Sequence, residues 1–309
     1  MSVVVPARNA GGTIGATIEA LERQDLDAPY EVIVVDDGSR DGTATLAERA
    51  AGVAVLVRQD GLGPAAARNR GAAAARAPVL AFTDADCVPE PDWLREGLDA
   101  ISGHDLVQGV VTPLEQVALH PLDRSLWITS ETGLWESANL FVRRELFERI
   151  GGFQDWLDYG GAKSFGEDTW FGWRARRAGA RTTFSTGAVV RHAVFARTFG
   201  QFVAEARRRR YFPAAVRQMP EFRDYVFLRW FLSRRTAAFD LALVAVAAAG
   251  WTRSAAPLAG VAPYALEVAR RALPWRRRAP LMAAATVAGD AVGFAALVEG
   301  SVRDRTLLL

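Results

Sequence analysis

The strongest constraint on the fold is a regular alternation of short apolar runs and amphipathic segments from residue 2 to about 112. This order is typical of repeated β-α-β units, and it predicts an α/β domain with a mainly parallel central sheet. The predicted strands are Ser2–Val5, Glu31–Val35, Val53–Val57 and Val79–Phe82, and the predicted helices are 13–24, 43–51 and 64–76.

Polar residues follow three of these predicted strands at their carboxyl ends, where ligands bind in parallel sheets. They are Pro6-Ala7-Arg8-Asn9, Asp36-Asp37-Gly38-Ser39 and Asp84-Ala85-Asp86. Two carboxylates one residue apart suit a hard cation such as Mg²⁺ or Mn²⁺ that bridges a diphosphate. Acidic residues are common in turns at strand ends, so Asp84-Ala85-Asp86 alone is weak evidence for a metal site. It becomes informative together with the neighbouring segments.

One of these neighbours is the segment 61–69, where glycines precede a helix and Arg68 lies one turn inside it. Such a helix can present Arg68 to a phosphate or a base, and the alternative is an ordinary capped helix with a solvated arginine. In the less regular middle of the chain, 113–200, we predict a strand near Asn139–Val142, a helix at 143–150 and a helix that begins at Glu167.

After about residue 236 the composition changes to Ala, Val, Leu and Gly, with arginine clusters that flank the apolar stretches 237–251, 255–266 and 279–298. Only the third is long enough for a bilayer span, and it carries Asp290 in its middle. We expect a membrane-associated helical module, with a buried soluble bundle as the alternative. The arginines at 207–210 are either a solvated helix face or a contact for anionic lipid or a lipid-linked diphosphate.

The net charge and the cysteine content narrow the possible ligands and the possible cell compartment. A formal net charge of +2 gives no strong attraction to nucleic acid. The single cysteine excludes an intramolecular disulfide and argues against a cysteine zinc site, which fits the cytoplasm.

Taken together, these segments resemble the family 2 glycosyltransferases of the GT-A fold. The resemblance rests on Val3–Asn9, Val35–Thr43, Ala67–Gly71 and Phe82–Asp86, and it extends to Asn139–Arg144, Ile150–Phe153 and Gly166–Trp170, with Arg174 and Gly179 after them. It implies an inverting, metal-dependent enzyme that uses a nucleotide-diphosphate sugar as its donor. We expect a catalytic domain over 1–205, with a nucleotide-binding half at 1–112 and an acceptor half at 113–205, followed by a basic and apolar helical region over 206–309.

The resemblance also assigns roles to residues. Pro6, Ala7, Arg8, Asp36 and Asp37 are expected to line the nucleoside, and Arg68 to close one side. The Asp84-Ala85-Asp86 segment is expected to hold sugar or ribose through Asp84 and the metal, Mn²⁺ or Mg²⁺, through Asp86. His192 is expected as a further metal ligand. Asp168 is expected to be the catalytic base, with Glu167 and Asn139 orienting the acceptor.

Two departures from the family pattern refine this expectation. The Gln-x-x-Arg-Trp segment of polymerising members is absent, because the corresponding region reads Glu205–Phe212, so transfer of a single sugar is favoured. Ala7 replaces the aromatic residue that often stacks on the base. The acceptor is expected to be a lipid-linked or cell-envelope glycan at the cytoplasmic face of the membrane. The alternatives are a sugar nucleotidyltransferase and a catalytically silent membrane-associated binding module.

Overall fold

The computed structural model describes residues 1–157 and 165–309, and their contacts divide them into two compact units. The first unit comprises Met1–Ala118 and Ser125–Val194, and the second comprises Leu119–Arg124 and Phe195–Leu309. The sequence-based boundary at residue 205 lies inside the second unit and stays a prediction.

The first unit is built on one mixed sheet of eight strands in the order β3-β2-β1-β4-β7-β6-β8-β5. Four strand pairs are parallel and three are antiparallel. The strands are β1 (Ser2–Ala7), β2 (Glu31–Asp37), β3 (Val55–Gln59), β4 (Val79–Thr83), β5 (Cys87–Pro89), β6 (Leu106–Pro113), β7 (Asn139–Arg143) and β8 (Thr182–His192).

The N-terminal part of this unit confirms the predicted α/β alternation. The strands β1 to β4 are parallel, and β1, β2 and β4 are buried along their apolar runs, as expected of strands covered on both faces, whereas the edge strand β3 is only partly buried. The helices of the unit are α1 (Ile14–Glu22), α2 (Thr43–Arg49), α3 (Pro64–Ala74), α4 (Trp93–Ser102), α5 (Arg144–Arg149) and α6 (Glu167–Arg177). The strand β7, the helix α5 and the start of α6 also lie where the sequence predicts them.

Two later strand pairings place further residues next to the Asp84-Ala85-Asp86 segment that follows β4. β7 runs antiparallel between β4 and β6. The short strand β5 pairs antiparallel with the end of β8, so that Cys87 lies opposite His192. The sequence pattern predicted neither β5 nor β6, and β8 was visible only as the short apolar run before His192.

The second unit is helical. Its α-helices are α7 (Phe199–Glu205), α8 (Phe212–Gln218), α9 (Arg234–Thr252), α10 (Ala262–Ala272) and α11 (Ala279–Arg303), and 3₁₀ segments cover Ala206–Tyr211, Pro220–Asp224, Ala256–Val261 and Leu273–Arg278. Within the described residues, one continuous helical stretch, Ala256–Arg303, is long and apolar enough to cross a membrane. A helix at the core of a soluble protein has the same length and composition, so this feature alone does not place the chain in a membrane.

Candidate active site

The two acidic residues that end β2 have different surroundings. Asp36 is buried, and its Oδ1 accepts a hydrogen bond from the Ser39 backbone N–H at 3.3 Å. The Asp37 carboxylate accepts bonds from the Gln59 side chain at 2.6 Å and from the backbone N–H groups of Leu62 at 2.7 Å and Gly63 at 3.0 Å. Asp37 therefore fixes the loop that leads into α3, and Asp36 is the better candidate for a nucleoside contact.

The end of β1 lies beside this loop. Ala7 is buried and pairs in register with Asp36, and Pro6 pairs with Val35. The exposed guanidinium of Arg8 lies 3.5 Å from Asp37 Oδ2. Gly38 has φ of +72°, which favours glycine, and a Cβ there would lie 3.1 Å from the Gly61 nitrogen. The predicted nucleoside residues of the first two strands thus lie together at one edge of the sheet.

Arg68 is the centre of a buried ion cluster. Its Nη2 donates to Asp84 Oδ1 at 2.9 Å, and its Nη1 donates to Glu167 Oε1 at 3.2 Å. The guanidinium also lies 5.6 Å from the ring centroid of Phe153. One arginine on α3 therefore joins the acidic residue after β4 to the acidic residue that opens α6. Arg68 is therefore not the solvated arginine of an ordinary capped helix. Both of its terminal nitrogens bond carboxylates of the protein, so the guanidinium is not presented to a ligand here.

Asp168 lies at the start of α6, half-buried. Its Oδ1 accepts from the Thr169 N–H at 2.8 Å, and its Oδ2 lies 3.4 Å from the Ser137 N–H. Burial, and then the carboxylates of Glu167 and Glu136, raise the pKa of Asp168 to about 8, while the charge of Arg68 opposes the rise. A carboxyl group with such a pKa is mainly charged, and so able to take a proton from a hydroxyl, above about pH 8.

Glu136 is a site neighbour that sequence reasoning missed. It precedes β7, and its Oε2 accepts a hydrogen bond from Gln108 at 2.7 Å. Burial raises its pKa above the usual range, and its charge acts on Asp168. Glu136 lies in the loop before β7 and belongs to none of the sequence motifs, so only the fold reveals its position near Asp168.

Asp86 and His192 form a pair of candidate metal ligands. The β5–β8 pairing places His192 Nε2 at 3.5 Å from Asp86 Oδ2. His192 is buried, and its Nδ1 lies 2.6 Å from the Ala193 carbonyl oxygen and 3.3 Å from Ser125 Oγ. A proton on Nδ1, donated to that carbonyl, leaves the lone pair of Nε2 directed to the Asp86 side, as in metal-binding histidines.

Cys87 is the third potential ligand atom at this place, within 4.8 Å of the Asp86 and His192 ligand atoms. Burial and the charges of Asp84 and Asp86 raise the pKa of its thiol well above the usual value. A buried neutral thiol is a poor ligand for Mg²⁺ or Mn²⁺, which prefer oxygen and imidazole donors. The carboxylate and the imidazole therefore fit a divalent ion, and the thiol acts as a packing residue.

Asn139 and Ala85 contribute to packing. Asn139 is fully buried; its Nδ2 donates to the carbonyl oxygens of Val110 and Ala188, both at 2.8 Å, and its Oδ1 accepts from Trp93 Nε1 at 2.8 Å. All of its amide atoms are committed to the sheet, which argues against the acceptor contact expected of it. The carbonyl of Ala85 accepts from Thr17 Oγ1 at 3.1 Å.

Other residues of the sequence motifs hold the site together. Asn69 on α3 makes two hydrogen bonds with the Phe153 backbone, at 2.7 and 2.8 Å. Arg174 on α6 donates to the carbonyl oxygens of Ile150 and Gly152. Gly166 is left-handed, with φ of +72°, and turns the chain into α6 just before Glu167. These contacts fix α3 and α6 to the same turn and so define the position of Asp168.

Comparisons with known proteins identify the family. The profile described as glycosyl transferase family 2 matches residues 2–153, and the one described as glycosyl transferase family group 2 matches residues 79–276. Glycosyltransferase AglE of Haloferax volcanii is 32% identical over 218 residues, which are 66% of this chain and 69% of AglE. The pre-mycofactocin glycosyltransferase of Mycobacterium tuberculosis is 28% identical over 214 residues, which are 62% of this chain but 42% of that protein.

Solved structures show the same fold. The mannosyltransferase PcManGT from Pyrobaculum calidifontis, in complex with GDP-Man and Mn²⁺, superposes with a TM-score of 0.63 at 22% identity, covering 95% of this chain and 86% of that one. S. aureus TarS with UDP-GlcNAc gives a TM-score of 0.53 at 15% identity, covering 99% of this chain and 92% of that one.

The sheet has the GT-A fold, and the sequence relatives identify the chain as a glycosyltransferase. The chain belongs to glycosyltransferase family 2.

Proposed function

We propose that this enzyme transfers one sugar from a nucleotide-diphosphate sugar to an acceptor hydroxyl, with the aid of a divalent metal and with inversion at the anomeric carbon. The observation that carries the proposal is the convergence of two acidic pairs, Asp84 with Asp86 and Glu167 with Asp168, that are distant from each other in sequence. Arg68 holds Asp84 and Glu167 together, Asp168 follows Glu167 directly, and Asp86 lies beside His192.

The donor class follows from the edge of the sheet. The buried carboxylate of Asp36 is suited to the nucleoside, and Pro6, Ala7 and Arg8 lie beside it. Asp84 is suited to a ribose or sugar hydroxyl, because its side chain is 28% exposed while Arg68 fixes its Oδ1. That PcManGT and TarS were solved with GDP-Man and UDP-GlcNAc supports a nucleotide sugar as the donor class.

Asp86 and His192 would hold the metal, Mn²⁺ or Mg²⁺, whose charge would stabilise the leaving diphosphate. The remaining chemistry belongs to Asp168. The acceptor oxygen bonds to the anomeric carbon as the bond to the diphosphate oxygen breaks, and the acceptor proton moves to the Asp168 carboxylate. A single direct displacement inverts the configuration. Asp168 is held by two backbone N–H groups, so its carboxylate keeps one orientation.

A sugar nucleotidyltransferase is the competing enzyme class, and it needs backbone N–H groups after β1 to bind phosphates. Here those groups are used internally. The N–H groups of Asn9, Ala10 and Gly11 donate to Ser39 Oγ at 2.9 Å, Thr43 Oγ1 at 2.8 Å and Asp41 Oδ2 at 2.9 Å. This network argues against the alternative, and the intact acidic set argues against a catalytically silent module.

The acceptor and location are proposed from the second unit. Its apolar helices and arginines favour membrane association at the cytoplasmic face, peripheral or through the helices, and therefore a lipid-linked or cell-envelope glycan as acceptor. We keep residue 205 as the end of the proposed catalytic domain, and we propose that the helical region after it associates with the membrane.

The test is turnover of a panel of nucleotide sugars with Mn²⁺, Mg²⁺ or EDTA, followed by proton NMR of the product anomer and mass spectrometry. We expect one donor to be used, EDTA to abolish turnover, and the product to carry one inverted sugar. Asp86→Ala should lose turnover, and Asp99→Ala, at an exposed position on α4, should not. Retention of activity by folded Asp86→Ala would contradict the proposal.

A further inference from the structure

The helical unit contains a buried ion cluster around Asp290, which lies in the middle of α11 and is 2% exposed. Asp290 Oδ1 accepts from both terminal nitrogens of Arg209 at 3.2 Å, and Arg235 Nε lies 3.1 Å from Oδ2. The hydroxyl of Tyr264 donates to Oδ2 at 3.1 Å. Four helical elements thus converge on one carboxylate.

Positive charge exceeds negative charge in this cluster. Arg271 on α10 is close enough to interact electrostatically with Arg235, Asp290 and Arg209. The only carboxylate within ion-pair distance of Arg209 or Arg235 in the described part of the chain is Asp290, and Arg271 has none. Two guanidinium groups therefore bond one carboxylate, and the charge of a third acts on the same group of residues.

Three other acidic side chains of the neighbouring elements are paired, and Asp240 on α9 lies beyond ion-pair distance of Arg209 and Arg235 in the described residues. Glu205 pairs with Arg197, Glu299 pairs with Arg210 at 3.2 Å, and Glu267 pairs with Arg270 at 3.2 Å. They do not reduce the excess at the Asp290 cluster. Arg209 and Arg235 are largely shielded from bulk water, where an excess of positive charge is unfavourable unless an anion compensates it.

The arginine side chains of the cluster remain in contact with solvent. The side chains of Arg209 and Arg235 are 18% and 22% exposed, and Arg271 is exposed. Gly293 on α11 makes room for the Arg209 guanidinium, because a Cβ at that position would lie 2.1 Å from Arg209 Nη1. Asp290 holds Arg209 and Arg235 in fixed orientations, which leaves other guanidinium N–H groups for a second anion.

We infer that Arg209, Arg235 and Arg271 form an anion site, oriented by Asp290, that binds the terminal phosphate or diphosphate of a lipid-linked acceptor. Planar guanidinium groups match phosphate oxygens in geometry and charge. The inference rests on the proposed function, since it specifies the acceptor class for the same enzyme. Asp290 acts as a positioning residue, because it holds the arginines and does not itself contact the anion.

The experiment uses the full chain and two probes in EDTA, which removes metal from the active site. Inorganic phosphate is titrated by calorimetry, and vesicles of equal charge density are compared that contain either phosphatidic acid, a phosphomonoester, or phosphatidylglycerol, a phosphodiester. The test variant is Arg271→Gln, whose side chain has no ion-pair partner to lose. The control is Arg270→Gln, the next residue of the same helix, which pairs with Glu267.

We expect the unaltered protein to bind phosphate and to prefer the phosphomonoester vesicles. Arg271→Gln should weaken both by about tenfold or more, and Arg270→Gln should leave both unchanged. Equal losses in the two variants, or no binding of either probe, would overturn the site. Phosphate binding without a preference among vesicles would overturn the lipid-borne source.

Donor hydrolysis with Mn²⁺ separates this inference from the proposed function. Arg271→Gln should hydrolyse the donor at the unaltered rate, because the residue has no role in donor binding. If no donor is hydrolysed by any form of the protein while phosphate still binds, the proposed function fails and the anion site stands.

Discussion

Replacing Arg68 with methionine tests the ion cluster at the centre of the site. The change keeps an unbranched, apolar stem but removes the guanidinium that bonds Asp84 at 2.9 Å and Glu167 at 3.2 Å. Glu167 has a side chain that is 10% exposed and would become an unpaired buried charge, while Asp84, at 28%, can recover some hydration.

The loss follows from these exposures. Removing one partner of a buried ion pair costs about 3–5 kcal/mol, and because Asp84 is partly hydrated we expect a value near the lower limit, about 3 kcal/mol. A chain of this size should melt lower by roughly 4–5 °C. Arg70→Met is the matched control, since Arg70 is exposed on the same helix, and it should change stability by about 0.5 kcal/mol at most.

The assay is urea unfolding of the single variants and of Arg68→Met/Glu167→Gln. The double variant should recover part of the loss, because a neutral amide replaces the unpaired carboxylate. Removing the Arg68 charge should also raise the pKa of Asp168, since that charge now lowers it. Equal stabilities for Arg68→Met and Arg70→Met would refute the cluster as a stabilising centre.

Three further predictions concern residues near the same edge. The folded-state pKa of Asp168 is about 8 against an ordinary 3.8, so its contribution to stability falls as pH rises through that window. Asp168→Asn should therefore be more stable than the unaltered protein at high pH but not at low pH, measured by urea unfolding, and wild-type kcat/KM should rise to a plateau above about pH 8; a pH-independent stability difference would refute this. His192→Ala should raise the Mn²⁺ concentration for half-maximal activity about tenfold or more, because His192 Nε2 lies 3.5 Å from Asp86 Oδ2, and an unchanged requirement would count against His192 as a ligand. Asn139→Ala should lower the free energy of unfolding by roughly 3 kcal/mol while leaving acceptor KM unchanged, because its amide serves the sheet; a stable variant with raised KM would reverse that assignment.

The first half of the fold is readable from sequence for a physical reason. β1, β2 and β4 are buried on both faces, so their apolar runs are continuous, and the turns after them carry the polar residues. β8 lacks this signal, because Thr182–His192 is only intermittently buried and contains Gly187. A register shift in its pairing with β6, between Gly109 and Val110, weakens the pattern further.

The site shows the same division. The candidate residues could be named from their motifs, whereas their partnerships could not. Arg68 and Glu167 are separated by 99 positions, and only the packing of α3 against α6 brings them together. Asp37 and Asn139 belong to motifs, yet their hydrogen bonds show that they support the backbone. Glu136 has no sequence signal, because its importance arises from proximity to Asp168.

The role of Asp168 as the catalytic base is tested most directly by comparing donor binding and sugar transfer in Asp168→Asn and the unaltered enzyme, with Mn²⁺ at saturation. We expect Asp168→Asn to have an unchanged donor Kd and a kcat lower by about a hundredfold to ten-thousandfold, because only proton removal from the acceptor is lost. Asp168→Asn protein that binds the donor and transfers sugar at the unaltered rate would contradict the assignment of Asp168 as the base.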